Sequence, residues 1–273
     1  MKIYDFDAKF FEYARTWMAL HPGVKEDQIE DHYNEMMSGW LNAPATWLDG
    51  AKPIEYFERY SEPKDLLKLM EEYVKRDICL PEPLYSRIVS IGESCVPGLM
   101  RIVGDSDKNE QLRANAMAML RDIGSDEPLE LYVNLIASAK EEDELAELAA
   151  DTLSSFTDDS VADSLLAKYE STSEYAQSLI LDVLCNFPGH DGTYELLIGK
   201  LLSCHDKIAY YASLIEKFGD PRALDTLQKM IQLSDIGYVD YIELRNAIES
   251  LGGDPGEERT FYGDPDYEAM RNV

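Results

Sequence analysis

A chain of 273 residues with 45% hydrophobic and 29% charged residues has enough apolar material for one large or two ordinary domains, which excludes a wholly disordered polymer. Its 53 Asp and Glu stand against 25 Lys and Arg, a formal charge of −28 with a pI near 4.3. No Lys/Arg cluster offers the phosphate-neutralising charge that a nucleic acid or an anionic membrane surface requires, so both are excluded as partners.

The longest stretch free of charge, Met36–Leu48, is far shorter than the about 20 apolar residues of a membrane helix. Asp5 and Asp7 stand where a signal peptide would place its apolar segment, and Cys79, Cys95, Cys185 and Cys204 have no tight spacing. The expectation is a cytoplasmic protein with reduced thiols.

In chain order, Phe6 to Leu20 and Val24 to Leu41 read as amphipathic helices separated by the helix-breaking Pro22-Gly23. The first is rich in aromatics: Phe6, Phe10, Phe11, Tyr13 and Trp17. A loop from Asn42 to Gly50 holds Trp47, and helices come next near Pro53 to Tyr60 and Pro63 to Arg76. Residues 1–80 are therefore expected to form an N-terminal helical cap over the apolar end of the remaining chain. The order Trp47-Leu48, Gly50, Pro53-x-x-Tyr56-Phe57 faintly resembles a small helical element of some bacterial toxin–antitoxin partner proteins.

Beyond residue 80 the chain repeats itself. An apolar residue followed by Gly or another helix stopper recurs as Ile91-Gly92, Ile123-Gly124, Phe156-Thr157, Phe187-Pro188, Phe218-Gly219 and Leu251-Gly252, at spacings of 32, 33, 31, 31 and 33. Three and seven positions before each stop the residues are apolar: Leu120 and Ala116, Leu153 and Ala149, Leu184 and Ile180, Ile215 and Tyr211. Ten positions before, Arg113, Ala146, Gln177 and Ile208 are mixed, as a partly exposed edge would be. This is one face of a helix of about four turns. Each stop leads into a polar turn that can cap a second helix, read as Leu129 to Ser138, Ala162 to Tyr169, Tyr194 to Leu202 and Leu224 to Leu233. A lone hairpin of this kind buries too little, so the units must stack, with Ile123, Phe156, Phe187 and Phe218 expected at equivalent buried positions.

On these residues the chain resembles the HEAT-like repeat family, in the short-unit form first recognised in phycobilisome lyases. Phe218-Gly219-Asp220-Pro221-Arg222-Ala223-Leu224 is similar to the family's turn between paired helices, and Leu112-Arg113-Ala114-Asn115-Ala116 to its Val-Arg-x-x-Ala opening. The resemblance covers roughly Pro83 to Gly253 and implies an all-α protein: an α-solenoid of about five HEAT-like hairpins over residues 81–253. It says little of chemistry, since the family includes scaffolds, lyase-associated modules and DNA glycosylases; a glycosylase would need a basic face, which the charge excludes. Residues 254–273 carry Phe261, Tyr262, Tyr267 and Met270 among six acids, an acidic aromatic segment that either caps the stack or packs along its groove.

Residues 1–80 hold 16 acids and 10 bases, residues 81–273 hold 37 and 15. In repeat register, Glu130, Asp163, Glu195 and Asp225 fall in the first turn of successive second helices, which in the resembled family line the concave side. First-turn acids complement the helix dipole and add to solubility without any ligand; as an acidic row they would instead receive a basic partner protein. Repeat geometry brings Cys185, His190, Cys204 and His205 into one neighbourhood, but without metal-ligand spacing. No phosphate-loop, dinucleotide or Gly-x-Ser-x-Gly motif occurs, so neither a metal, a cofactor nor catalysis is expected. The leading expectation is a non-catalytic protein–protein interaction scaffold. The alternatives are an immunity or antitoxin protein neutralising a basic toxin, and a lyase-like or other enzyme module holding a small molecule in the groove.

Overall fold

The structure, a computed structural model, describes residues 2–24 and 29–271. Among these the chain is all-helical, with fifteen α-helices, short 3-10 turns and no strand. No helix in the described residues is long and apolar enough to cross a membrane. Residues 1–128 and 129–273 form two compact units.

In the first unit, α1 (Phe6–Leu20) starts where Asp5 accepts a hydrogen bond from the Ala8 N–H at 2.8 Å. The second helix, α2, spans Ile29–Asn42; its expected beginning after Val24 falls on residues 25–28, which lie outside the described residues. The stretch expected as a helix near Pro53 is a 3-10 segment, Pro53–Arg59. Three residues per turn stack Pro53, Tyr56 and Arg59 on one side. Pro53 and Tyr56 are buried, and the Arg59 guanidinium stands 4.0 Å from the Tyr56 ring centre. Next come α3 (Pro63–Lys75), α4 (Glu82–Ile91), α5 (Val96–Gly104) and α6 (Glu110–Ile123).

Aromatic rings hold the N-terminal part of this unit together. Phe6 meets Trp47 edge-on at 5.2 Å, Trp40 at 6.0 Å and Phe57 in a stack at 5.5 Å. Such pairs add about 0.5–1.5 kcal/mol each beyond area burial. Tyr73, fully buried on α3, donates its hydroxyl to the Tyr4 carbonyl at 3.0 Å, and burial drives its proton affinity up.

The second unit contains α7 (Leu129–Ser138), α8 (Glu144–Leu153), α9 (Asp159–Tyr169), α10 (Glu174–Leu184), α11 (Asp191–Ser203), α12 (Ile208–Phe218), α13 (Leu224–Met230), α14 (Tyr238–Ser250) and α15 (Pro265–Arg271). Neighbours run in two series: α8 against α10, α10 against α12 and α12 against α14, and likewise α7 against α9 and α9 against α11. Helices adjacent along the chain also pack in pairs, α7 with α8, α9 with α10, α11 with α12 and α13 with α14. Each pair therefore joins a second helix to the first helix of the next predicted hairpin. Buried alanines on the first helices, Ala149, Ala176, Ala212 and Ala247, permit this approach, since interaxial distance depends on side-chain size at the contact.

The periodic positions behave as a helix face requires. Every residue three before a stop (Leu120, Leu153, Leu184, Ile215) and seven before it (Ala116, Ala149, Ile180, Tyr211) is buried, each large one contributing about 1.5–3 kcal/mol. The stop residues differ: Phe187 and Phe218 are buried, whereas Ile123 and Phe156 are half-buried. A side chain at the last turn lies at the edge of the helix face, so its cover depends on the adjoining loop rather than on the period. Gly124 and Gly219 end α6 and α12 in the left-handed region at φ 75, where glycine carries no Cβ penalty.

The chain after α14 folds back onto α13 and α14. Gln228 donates to the Asp254 carbonyl at 3.2 Å, and Arg259 donates to the Ile231 and Leu233 carbonyls, both at 2.9 Å. Phe261 meets Tyr238 and Tyr241 ring to ring, and Asp264 caps α14 by accepting from the Tyr238 N–H at 3.0 Å.

Candidate functional site

All four residues of the acidic row are exposed at the helix surface, but their place in the helices departs from the expectation at two of them. Glu130 and Asp225 lie in the first turns of α7 and α13. Asp163 and Glu195 lie a turn deeper, because α9 and α11 begin at Asp159 and Asp191, earlier than the apolar pattern implies. The cause is capping: Asp158 accepts from the Ser160 N–H at 2.9 Å, and His190 Nδ1 accepts from the Thr193 N–H at 3.2 Å. Asp159 and Asp191 thus already occupy the first turns, and the dipole effect fades beyond them.

Cation supply along the row is thin. Glu130 lies 4.0 Å from the Lys168 ammonium, and Asp163 3.3 Å from His190 Nε2. Among the described residues Glu195 and Asp225 have no ion-pair partner. Residues 129–273 hold 29 acids and 10 bases, so unneutralised carboxylate dominates the surface of this unit.

The turn that carries the family resemblance works inside the fold. Asp220, only 6% exposed, accepts from the Arg222 N–H and from its guanidinium, and this contact holds the Asp220 carboxyl below the ordinary carboxylate range. The same guanidinium reaches Asp191 of α11 at 2.7 Å and lies 4.4 Å from the Tyr194 ring centre. Arg222 is thereby a clamp between two neighbouring helical segments.

A groove of about 730 Å³ opens beside Tyr169, Tyr210 and Tyr211, with Lys200, Lys207 and Cys204 on its walls. Burial pushes all three phenols up to about 12, so at neutral pH they keep their protons and can donate. The Lys200 ammonium stands 4.9 Å from the Tyr169 ring centre and pairs with Glu170 at 3.4 Å, while Lys207 pairs with Glu174. In sequence Tyr211 is a periodic position, seven before the stop at Phe218, and Tyr210 is its neighbour. The groove escapes this pattern because Tyr169, the third wall, ends a different helix, and only the register of successive units hints that the end of α9 meets the start of α12.

The thiols and imidazoles do not converge. Cys185 is buried, donates its thiol to the Leu214 carbonyl at 3.4 Å and is pushed up to about 12 by burial. His190 caps α11, Cys204 faces the tyrosine groove and His205 begins a 3-10 turn. Among the described residues no group of three or more His, Cys, Asp or Glu is placed to hold a metal ion.

No protein-family model, curated protein or solved structure matches this chain. Geometry alone must therefore point to a function. It offers a set of surface carboxylates on successive second helices, two in first turns and two a turn deeper, and a phenol-lined groove with paired lysines. The first attracts cationic groups through an additive field; the second offers ring faces and hydroxyl donors.

Proposed function

We propose that the repeat-bearing part of the chain is a HEAT-like α-solenoid acting as a non-catalytic protein-interaction module, and that the surface around Glu130, Asp163, Glu195 and Asp225 receives a basic partner protein. Support for the architecture comes from the two neighbour series, α8–α10–α12–α14 and α7–α9–α11, together with the burial of the residues three and seven positions before each stop. The function rests on one observation. Asp163 and Glu195 are surface acids beyond the first turns, where Asp159 and Asp191 already stand at the helix N-termini, so the helix dipole leaves their presence unexplained.

The test is to immobilise the full chain, capture partners at about 0.1 M and about 0.5 M salt, and titrate the purified partner against the native chain and a variant carrying Glu130→Lys, Asp163→Lys, Glu195→Lys and Asp225→Lys. Electrostatic reach is about 10 Å at the lower salt and less than half that at the higher. The expected partner has a basic pI, binds at least about tenfold more weakly at high salt and is lost by the variant. A partner held equally by both chains shows that the acidic row does not bind it.

A further inference from the structure

The first unit carries a groove whose charge runs against that of the rest of the molecule. About 930 Å³ in volume, it lies between one face of α3, with Lys64, Leu67 and Lys68, and one face of α5, with Arg101 and Ile102. Lys64 and Lys68 are one helical turn apart, about 6 Å along the axis, and Arg101 faces them from the other wall. All three are exposed. Among the described residues none of the three has a carboxylate within ion-pair distance. Arg101 donates only to the Pro97 carbonyl of its own helix, at 3.2 Å. In a chain with 53 acids for 25 bases, a groove on which the bases Lys64, Lys68, Arg101 and Lys108 outnumber the acids Glu62, Glu71 and Asp105 is a local reversal of sign, and it favours a ligand that brings negative charge. Of the acids on these walls, Glu71 is taken by Lys108 at 3.1 Å, and Glu62 and Asp105 offset only part of the charge of Lys64, Lys68 and Arg101. The floor is apolar, with Leu67 and Ile102 nearly buried.

We propose that this groove docks an acidic amphipathic segment of a partner protein, its apolar side chains on Leu67 and Ile102 and its carboxylates on Lys64, Lys68 and Arg101. Charge complementarity selects the sign of the ligand, and the field of the whole chain selects its size. A long polyanion brings many charges into a strongly negative field for three contacts and is repelled. A short segment brings two or three charges, and its apolar side gains from the floor as well. This partner is opposite in chemistry to the one proposed for the second unit, so the two proposals stand or fall separately.

The experiment uses the full chain and a fluorescein-labelled, helix-forming peptide with leucines along one face and glutamates beside them, read by fluorescence anisotropy. Saturable binding is expected, weakened at least about tenfold by Lys64→Glu with Arg101→Glu, and weakened also when serines replace the leucines. Both substituted side chains are exposed, so the circular-dichroism melt should not move; Lys68→Glu alone serves as a second variant. Four results would overturn the proposal: no saturable binding of the peptide, unchanged binding in these variants, equal binding of the serine peptide, or an equal loss from Lys140→Glu, an exposed base of the second unit. Tighter, variant-sensitive binding of a labelled single-stranded oligonucleotide would assign the groove to polyanions instead.

Discussion

Residues 1–128 and 129–273 are built from helices alike, yet they tie themselves together over different distances along the chain. In the first unit Tyr73 reaches back 69 residues to Tyr4, and Phe6, Trp40, Trp47, Tyr56 and Phe57 meet in one cluster. In the second, a side chain reaches only as far as the neighbouring helices: Arg222 to Asp191 over 31 residues, Asn186 to Ser154 over 32, Lys217 to Asp182 over 35. The charge differs too, with 24 acids and 15 bases in the first unit against 29 and 10 in the second. A cluster concentrates stability in a few large rings, whereas a series spreads it over many equivalent aliphatic contacts. The series leaves its exposed positions free to carry charge, and the acid row stands there.

Substitutions should separate these two modes of stabilisation. Phe57→Ala empties the centre of the ring cluster and should destabilise the first unit by about 3–5 kcal/mol, read by tryptophan fluorescence in denaturant, because Trp17, Trp40 and Trp47 all lie in residues 1–128. Leu184→Ala, at a fully buried periodic position, should cost about 2–5 kcal/mol and move the far-ultraviolet circular dichroism more than the tryptophan signal. An equal shift of both signals would break the contrast, since it would mean that the units unfold as one.

Smaller effects test the turn that joins α12 to α13. Asp220→Ala removes a buried cap and should cost about 1–2 kcal/mol at pH 7. The pH dependence comes from the Arg222 contact, which lowers the Asp220 proton affinity in the folded state. Its contribution is therefore complete above the unfolded carboxyl value near 4 and is lost as pH falls through the lower folded one. The gap in stability between native and variant chains should narrow in urea melts as pH falls below about 4, and a gap unchanged by acid would assign the loss to packing. Gly219→Ala meets no atom within 4 Å but must hold φ 75, so about 1–2 kcal/mol of backbone strain is expected. Smallest of all, Glu195→Gln should leave the melting curve within about 0.5 kcal/mol, as a surface acid without an ion-pair partner requires.

Legibility in the sequence varies with the kind of signal each feature leaves there. The period of the second unit can be read because Leu153, Leu184 and Ile215 repeat one environment, and so can the glycine stops, since Gly124 and Gly219 occupy a backbone region that other residues avoid. Helix starts are less legible. Asp158 and His190 are polar in sequence, and only their hydrogen bonds to Ser160 and Thr193 show that α9 and α11 open there. Pro53–Arg59 misleads because a three-residue and a 3.6-residue period are nearly alike over two turns. The grooves are not legible at all: Tyr169 with Tyr210, or Lys64 with Arg101, become neighbours only through the packing of separate helices.

The short reach of the bonds in residues 129–273 also bears on how the chain is made. Contacts that span about one unit close small loops, whose entropy cost is low, and they favour rapid folding. During synthesis each emerging helix finds its docking face already displayed by the residues translated just before it. Arg222, for instance, needs only Asp191 and Asp220 to have left the ribosome before its clamp can form. The first unit has no such convenience, for the ring of Phe6 must stay uncovered until Trp40, Trp47 and Phe57 have been added. Its helices α1 and α2 are thus the part of the nascent polypeptide most in need of shelter from aggregation.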